Sequence, residues 1–512
     1  MISVLDWIVI LIYAGVVIAF GFFAGKKEST TEDFFLGGRK MPWVSVMISI
    51  YATSLSALTF IGVPGAAFEG DFVYLQLAIG DLVGRVLVST LLLSVYYKSQ
   101  VTTIYEFLGK RFGPRSRDAG TGFFMLTRLL ASGVRLAGCA IALSVVFDIP
   151  LNSAIILIAV VAFIYTTLGG IKAVIWTDAL QFFLLLSGAI VTLFFIWSAM
   201  PGGFSEFFQI GSEFGKFKVF HVSASPSHPE FFLNFNNPNA LAAGLLFGCF
   251  TTFAVLGTDQ DLVQRMLTCD HVKKGQKALL WTAALNFPIT LLFLGVGAAL
   301  FAFYKVTPDA AVDTFIATHH TDYIFPHFIK TVLTPGLRGL LIAALLAAAM
   351  SSLDSALNAL SSTFYIDIYK RYIRPDTTEK HAVTISRYSV IIFAAVLAIV
   401  AMQCGRTESV LWLGFKIFGY TYGAMIGVFL IAVLTDRRGN DIANVVIMVT
   451  SVLMVLFLTA DSIGPLQEVR STILSPLGIE KISWKWSIII GSIWTFGIGV
   501  IFSEKKLKVP KV

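Results

Sequence analysis

One stretch of this 512-residue chain combines oxygen-bearing side chains at spacings that suit a hard cation. In Ala347-Ala348-Ala349-Met350-Ser351-Ser352-Leu353-Asp354-Ser355, small residues allow close helix approach. Hydroxyls then cluster at Ser351, Ser352 and Ser355 beside the carboxylate of Asp354. Ser351 and Ser355 are four apart and share one helix face, and Na+, a hard ion, takes oxygen ligands. Serines alone serve equally as contacts between membrane helices, but a carboxylate in an apolar run is costly and usually functional. Asp178, in Val174-Ile175-Trp176-Thr177-Asp178-Ala179-Leu180-Gln181, is a second such acid. Arg128 and Arg135 are seven apart and project from one helix face. Each either pairs with an acid of the protein or receives an anionic substrate, whose carboxylate a guanidinium grips with two bonds. Asp81 and Arg85, four apart, read as a pair that offsets its own burial cost. Lys416 either touches substrate or pairs with Asp81.

Motifs for other chemistry are missing. There is no Gly-rich phosphate loop and no zinc-binding His pair on a helix. A Ser-His-Asp set cannot be assembled without a His inside an apolar run, so an enzyme is not expected. The cysteines (Cys139, Cys249, Cys269, Cys404) are scattered singly, without metal or disulfide spacing.

The elements that must hold these residues are membrane helices. The chain is 56% hydrophobic and 13% charged, against about 25% charged in soluble domains, with a mean hydropathy of +0.80. A span needs about 20 mostly apolar residues. Thirteen runs qualify: 4–24, 43–68, 73–97, 119–147, 151–169, 173–200, 239–263, 278–304, 337–366, 384–403, 408–434, 442–460 and 484–502. The net charge of +7 does not indicate nucleic acid: 25 of the 38 Lys and Arg fall in alternate loops, 9 in the intervening loops and 4 inside spans. Cations gather on the cytoplasmic side, which sets the N-terminus outside and the C-terminus inside. With that orientation Asp178 lies ~8 Å into its helix from the inner face and Asp354 ~26 Å along its helix from the outer one. Across a core of about 30 Å the two acids share a depth near the inner side, as a cation exit path would require. The segment 201–238 reads as a short amphipathic external cover.

Two spans are irregular. The run from Trp43 to Phe68 is interrupted by Ala52-Thr53-Ser54-Leu55-Ser56-Ala57-Leu58-Thr59 and then Gly62, Pro64 and Gly65. Five spans later, the run from Asn239 to Met266 is interrupted at Thr251-Thr252 and at Gly257-Thr258-Asp259. Paired broken helices at matching places point to an inverted-repeat transporter, since unwound backbone at membrane depth is tolerated only where it lines a cavity.

From about residue 4 to 435 the chain resembles the sodium:solute symporter family, and its pattern is closest to the bacterial sodium/sialic acid branch. The resemblance rests on Ser29–Gly38, Thr103-Ile104-Tyr105-Glu106-Phe107-Leu108 with Arg111-Phe112, Gly169-Gly170-Ile171-Lys172-Ala173-Val174-Ile175-Trp176-Thr177-Asp178, Gln260–Arg265 and Asp367-Ile368-Tyr369. It implies an all-α integral membrane fold of about 13 helices around a five-plus-five inverted repeat of the leucine-transporter type, with alternating access. It implies a main Na+ site on the carbonyls of Ala52, Leu55 and Ala348 and the hydroxyls of Ser351 and Ser352. A second cation site would map onto Asp178, Ser351 and Ser355, where Asp354 replaces the serine of the sialic acid branch. The galactose transporter's polar columns do not match, reading Ser54, Thr59 and Ala78. Ser54, Ser56 and Thr59 are closer to the sialic acid branch. That branch's carboxylate-binding Arg falls on Ala131, with Arg128 and Arg135 one turn to either side.

The expectation is therefore a single transmembrane domain over 1–512, with a repeat core at about 43–435, a leading helix at 4–24 and trailing helices at 442–502. Its function would be import of a small polar solute with Na+, a carboxylate such as a sialic acid or a monocarboxylate, with Ser54, Ser56, Thr59, Gln76, Arg128, Arg135 and Lys416 as substrate residues. A sugar or polyol symporter is the alternative, and a channel or membrane sensor the reading from another class. The expected partners are the solute, Na+ and the lipid bilayer, with no nucleic acid. The expected setting is a monomer in a bacterial inner membrane.

Overall fold

The computed structural model describes residues 2–503 except 26–34, 57, 167–170, 226–227, 406–408, 460–463, 478 and 480–481. The motif residues Ser29–Phe34 and Gly169-Gly170 lie outside the described residues. Helices follow the apolar runs: α1 Val4–Gly25, α2 Trp43–Ser54, α3 Val63–Glu69, α4 Leu75–Leu87, α5 Pro114–Phe147, α6 Leu151–Thr166, α7 Ile171–Ala199, α8 Leu241–Gly257, α9 Gln260–Met266, α10 Val272–Val306, α11 Leu337–Thr363, α12 Glu379–Cys404, α13 Val410–Leu434, α14 Asp441–Thr459 and α15 Ser487–Gly499. Among the described residues, eight helices are long and apolar enough to cross a membrane, and two bent pairs raise that to ten. The expected spans at 4–24, 151–169 and 484–502 fall on α1, α6 and α15. The segment 201–238 folds partly as a helix, Gly203–Glu213, against α7 and α10.

The bent pairs are α2 with Leu58–Glu69, turned by 58°, and α8 with α9, turned by 66°. In the first, α2 ends at Ser54 and Pro64 sits in the opening turn of α3, where a missing N–H costs nothing. In the second, α8 runs unbroken through Thr251-Thr252, contrary to the expected interruption there; the only break lies at Thr258-Asp259. A pair of β-branched residues does not unwind a helix whose backbone bonds are all made in an apolar setting. Asp259 leaves the helix with extended φ/ψ, and its side chain accepts the Asp261 N–H at 2.9 Å, the local competition that makes Asp a helix starter.

Helix α1 lies against α7 and α11. The four elements that carry the polar residues, α2, α7, α9 and α11, meet around the first break. Close approach of α4 to α8 depends on glycine. A Cβ at Gly80 would stand 2.0 Å from the Leu245 carbonyl oxygen, and one at Gly248 would stand 2.3 Å from that of Leu77. Small residues let membrane helices pack backbone to backbone. Gly248→Leu should therefore force the two backbones apart at a cost of about 1–3 kcal/mol or more. Thermal unfolding in detergent should show a clearly lower midpoint and less monodisperse protein. Gly122→Ala, where nothing lies within 4 Å, should leave both unchanged.

Candidate cation and solute sites

The first break frees a carbonyl. The Leu55 N–H makes the last helical bond, to the Tyr51 carbonyl at 2.8 Å, and the Ser56 N–H turns back to Ser54 at 2.9 Å instead of reaching Ala52. The Ser351 hydroxyl reaches the Ala52 carbonyl at 3.5 Å and the Ala348 carbonyl at 3.4 Å. Ser352 adds a buried hydroxyl without a hydrogen-bond partner. The structure thus brings Ala52, Ala348 and Ser351 into contact, with Leu55 closing the same helix end and Ser352 next along α11. The second break is different. Tyr96 donates its hydroxyl to the Gly257 carbonyl at 2.6 Å and Tyr105 donates to Thr258 at 3.2 Å. Its freed carbonyls are already satisfied by the protein.

Asp178 and Ser355 also come together, but through a cation of the protein. The Arg265 guanidinium bonds Ser355 and lies 3.2 Å from Asp178 Oδ2. Its Nε donates to Ser49 Oγ at 2.9 Å, and Nη1 to Asp261 Oδ1 at 2.8 Å. Ser49 donates to the same Asp178 oxygen. Asp354 faces another way, taking the Thr166 hydroxyl on Oδ1 at 2.6 Å.

A cavity of about 170 Å³ opens beside the first break. Ser54, Ser56 and Thr59 line it from the break. The Asp81–Arg85 pair lines it from α4, joined at 2.6 Å and held further by Thr252 and Asn286. Aromatic walls come from Tyr74, Phe247, Phe415 and Phe418. Ala131 and Arg135 line it from α5. Arg135, 9% exposed as a residue, has no hydrogen bond or ion pair on its guanidinium among the described residues.

Three expected substrate residues are not in the cavity wall. Arg128 is bonded by its own fold: Nη2 pairs with Asp259 and Nη1 stands 3.2 Å from Asp261, with a side chain 1% exposed. Tyr422 donates to the same Asp259 oxygen. Gln76 gives its amide N–H to the Val219 carbonyl at 2.8 Å. Lys416 leaves the wall to its neighbours on α13, Gly414, Phe415 and Phe418. Sequence reasoning missed Arg265, counted as a cytoplasmic loop cation, and the acids Asp259 and Asp261. The i,i+4 spacing of Asp261 and Arg265 was the available signal.

Outside the spans, Lys216 of the segment 201–238 donates to the Phe68 and Gly70 carbonyls at 2.6 and 2.8 Å and lies 3.9 Å over the Phe301 ring. Burial pushes its ammonium down to about 8. The segment is thereby fastened to the C-terminal end of α3.

Residues 34–462 match the sodium:solute symporter family. The sodium/sialic acid symporter SiaT of Proteus mirabilis is 30% identical over 88% of this chain and 89% of its own. The human sodium-coupled monocarboxylate transporter 1 is 27% identical over 80% of this chain and 66% of its own. The solved substrate-bound, outward-open state of a Na+-coupled sialic acid symporter superposes with a TM-score of 0.82 at 27% identity, covering 98% of this chain and 97% of the other.

Breaking one partner of a buried ion pair costs about 3–5 kcal/mol, because the other charge is left stranded. Arg128→Gln should therefore lower the thermal midpoint and folded yield in detergent severely. Arg135→Gln, which strands nothing, should melt like the wild type.

Proposed function

We propose that this chain, which belongs to the sodium:solute symporter family and is a Na+-coupled secondary transporter of a membrane, carries a small organic acid inward with Na+ by alternating access. The observation that carries the solute class is Arg135, a guanidinium in the cavity wall without a counter-ion of its own. A cation held in an apolar setting without a partner is unfavourable, and a solute carboxylate supplies the partner with two charge-assisted bonds. The relatives named for sialic acid and for monocarboxylates carry such a group. Arg135 stands one turn from Ala131, so the anchoring cation is displaced along α5 rather than lost. Opposite it, Asp81, Asn286 and Thr252 form a polar wall suited to hydroxyl or amide groups, which favours a hydroxylated acid of the sialic type.

For Na+, the residues at the first break fit the ion. The Ala52 carbonyl lacks its helical N–H, Ser352 carries an unsatisfied buried hydroxyl, and Leu55, Ala348 and Ser351 complete an oxygen set on two helices. Binding there ties α2 to α11 and fixes Ser54, Ser56 and Thr59 at the cavity wall. Ion and solute thus favour the same conformation, and only such differential binding shifts the equilibrium. Inward Na+ adds about 2.3 kcal/mol per charge per 100 mV. The full reading is one transmembrane domain with its repeat core at about 43–435, acting as a monomer in an inner membrane, N-terminus outside.

In proteoliposomes, Arg135→Gln should cut Na+-driven uptake of N-acetylneuraminate by at least about tenfold, the worth of a charged hydrogen bond, while Na+ stabilisation of the purified protein persists. Unchanged uptake of the acid would refute an anionic anchor at Arg135. Equal loss for the acid and for galactose would assign Arg135 to structure.

A further inference from the structure

The apolar surface that α7 turns to lipid does not stop where the helix ends. Trp176, Phe183, Ile190 and Phe194 are all exposed on α7, and their spacing puts them in one stripe along the helix. From position 176 to 194 that stripe runs ~27 Å at 1.5 Å per residue, against about 30 Å for the core of a bilayer. Phe194 therefore stands at the edge of the hydrocarbon. From there a chain of rings leads on: Phe194 to Trp197 at 5.5 Å between centroids, Trp197 to Phe204 at 5.0 Å, and Phe204 to Phe208 at 6.3 Å.

Phe204 and Phe208 belong to the helix Gly203–Glu213. They are four apart, share a face, and are each 55% exposed. Phe207 and Gly211 are buried on the adjoining side, with Phe207 against Trp197 and Phe217. Ser205, Gln209, Ser212 and Glu213 are exposed on the far side. The two bare rings thus prolong the lipid-facing stripe of α7 on a helix with a polar back. A helix of this pattern lies in the plane of the interface, where large aromatic rings gather. It carries Glu206 and Glu213 and no Lys or Arg, so burial of rings, not attraction to anionic lipid, is what holds it.

The same helix is tied to the first broken span. The chain turns at Gly215, whose φ is +65°, and the Lys216 N–H returns to the Gly211 carbonyl at 2.8 Å. Lys216 is thereby fixed to the last turn of the helix. Its ammonium takes the Phe68 and Gly70 carbonyls, at the end of α3 where a helix leaves carbonyls without donors. Phe217 beside it packs edge-on to Phe72, just before α4, at 5.5 Å.

We propose that the helix Gly203–Glu213 lies in the membrane–water interface, with Phe204 and Phe208 among the acyl chains below the headgroups, and that Lys216 carries this anchorage to α3. The bilayer is then a structural partner of one half of the first broken helix, whatever solute the protein carries.

The test is spin-label depth on the full-length protein in phosphatidylcholine liposomes, with Cys404→Ser removing the one cysteine that is not buried. A nitroxide on Phe208→Cys should meet dissolved oxygen and be shielded from a water-soluble nickel chelate, while one on Gln209→Cys should be open to the chelate. Equal chelate access at both positions overturns the interfacial seat. So does spin–spin broadening at Phe208→Cys that unlabelled protein dilutes away, which would mark a second copy on this face. Phosphatidylglycerol should not deepen the Phe208→Cys label; deeper insertion would refute seating by rings alone. For the link, a label on Glu69→Cys, at the end of α3, should become more mobile in Phe204→Ser with Phe208→Ser and also in Lys216→Met. Unchanged mobility in both would break the link to α3. Neither readout needs Na+ or solute, so both stand apart from the transport reading.

Discussion

Buried charge is the constraint on which the rest of this structure depends. Arg128 and Arg265 are each about 1% exposed in a chain built to sit in lipid, and a guanidinium there must be met by carboxylates or the fold does not hold. Both are met from the short helix α9. Asp259 and Asp261 take Arg128 from α5, and Asp261 shares Arg265 with Asp178 of α7. Arg265 then reaches Ser49 of α2 and Ser355 of α11. A seven-residue helix and its capping Asp259 thus fasten four other helices, and the break at Thr258-Asp259 aims them.

That network also lies between the two ligands. Arg135 stands two turns beyond Arg128 on α5, at the solute cavity, and Arg265 ends at Asp178 and Ser355, beside the cation residues. On the proposed site assignments this set of charges lies between solute and ion, the kind of physical link through which coupling travels. Such coupling is reciprocal: whatever Na+ adds to solute affinity, solute adds to Na+ affinity. The two broken helices divide the labour. Tyrosines satisfy the carbonyls of the second break, while the first break leaves the Ala52 carbonyl without its helical N–H and the Ser352 hydroxyl without a partner.

Much of this was legible in the residues. Hydropathy placed the spans, and Gly, Pro and Ser marked the first break, because those features act locally. Asp354 and Asp178 stood out because a carboxylate among apolar residues has few innocent explanations. What stayed hidden was partnership across the bundle. Nothing near Arg128 in the chain announces Asp259, 131 positions away, so an arginine spent on structure and one open to solute looked alike. Arg265 was misread because the positive-inside rule counts cations by loop, and α9 carries this one back into the protein. Thr251-Thr252 misled for the opposite reason: polar residues in a span suggest a break, yet a hydroxyl can face a cavity from an intact helix.

The most direct measurement is accumulation of labelled N-acetylneuraminate by proteoliposomes of the purified protein under an inward Na+ gradient, with the membrane potential clamped at zero. Coupling of a solute anion to Na+ predicts transient uptake above the equilibrium level, lost when K+ replaces Na+ or the gradient is dissipated. Uptake that never exceeds equilibrium, or that is the same in K+, would contradict it.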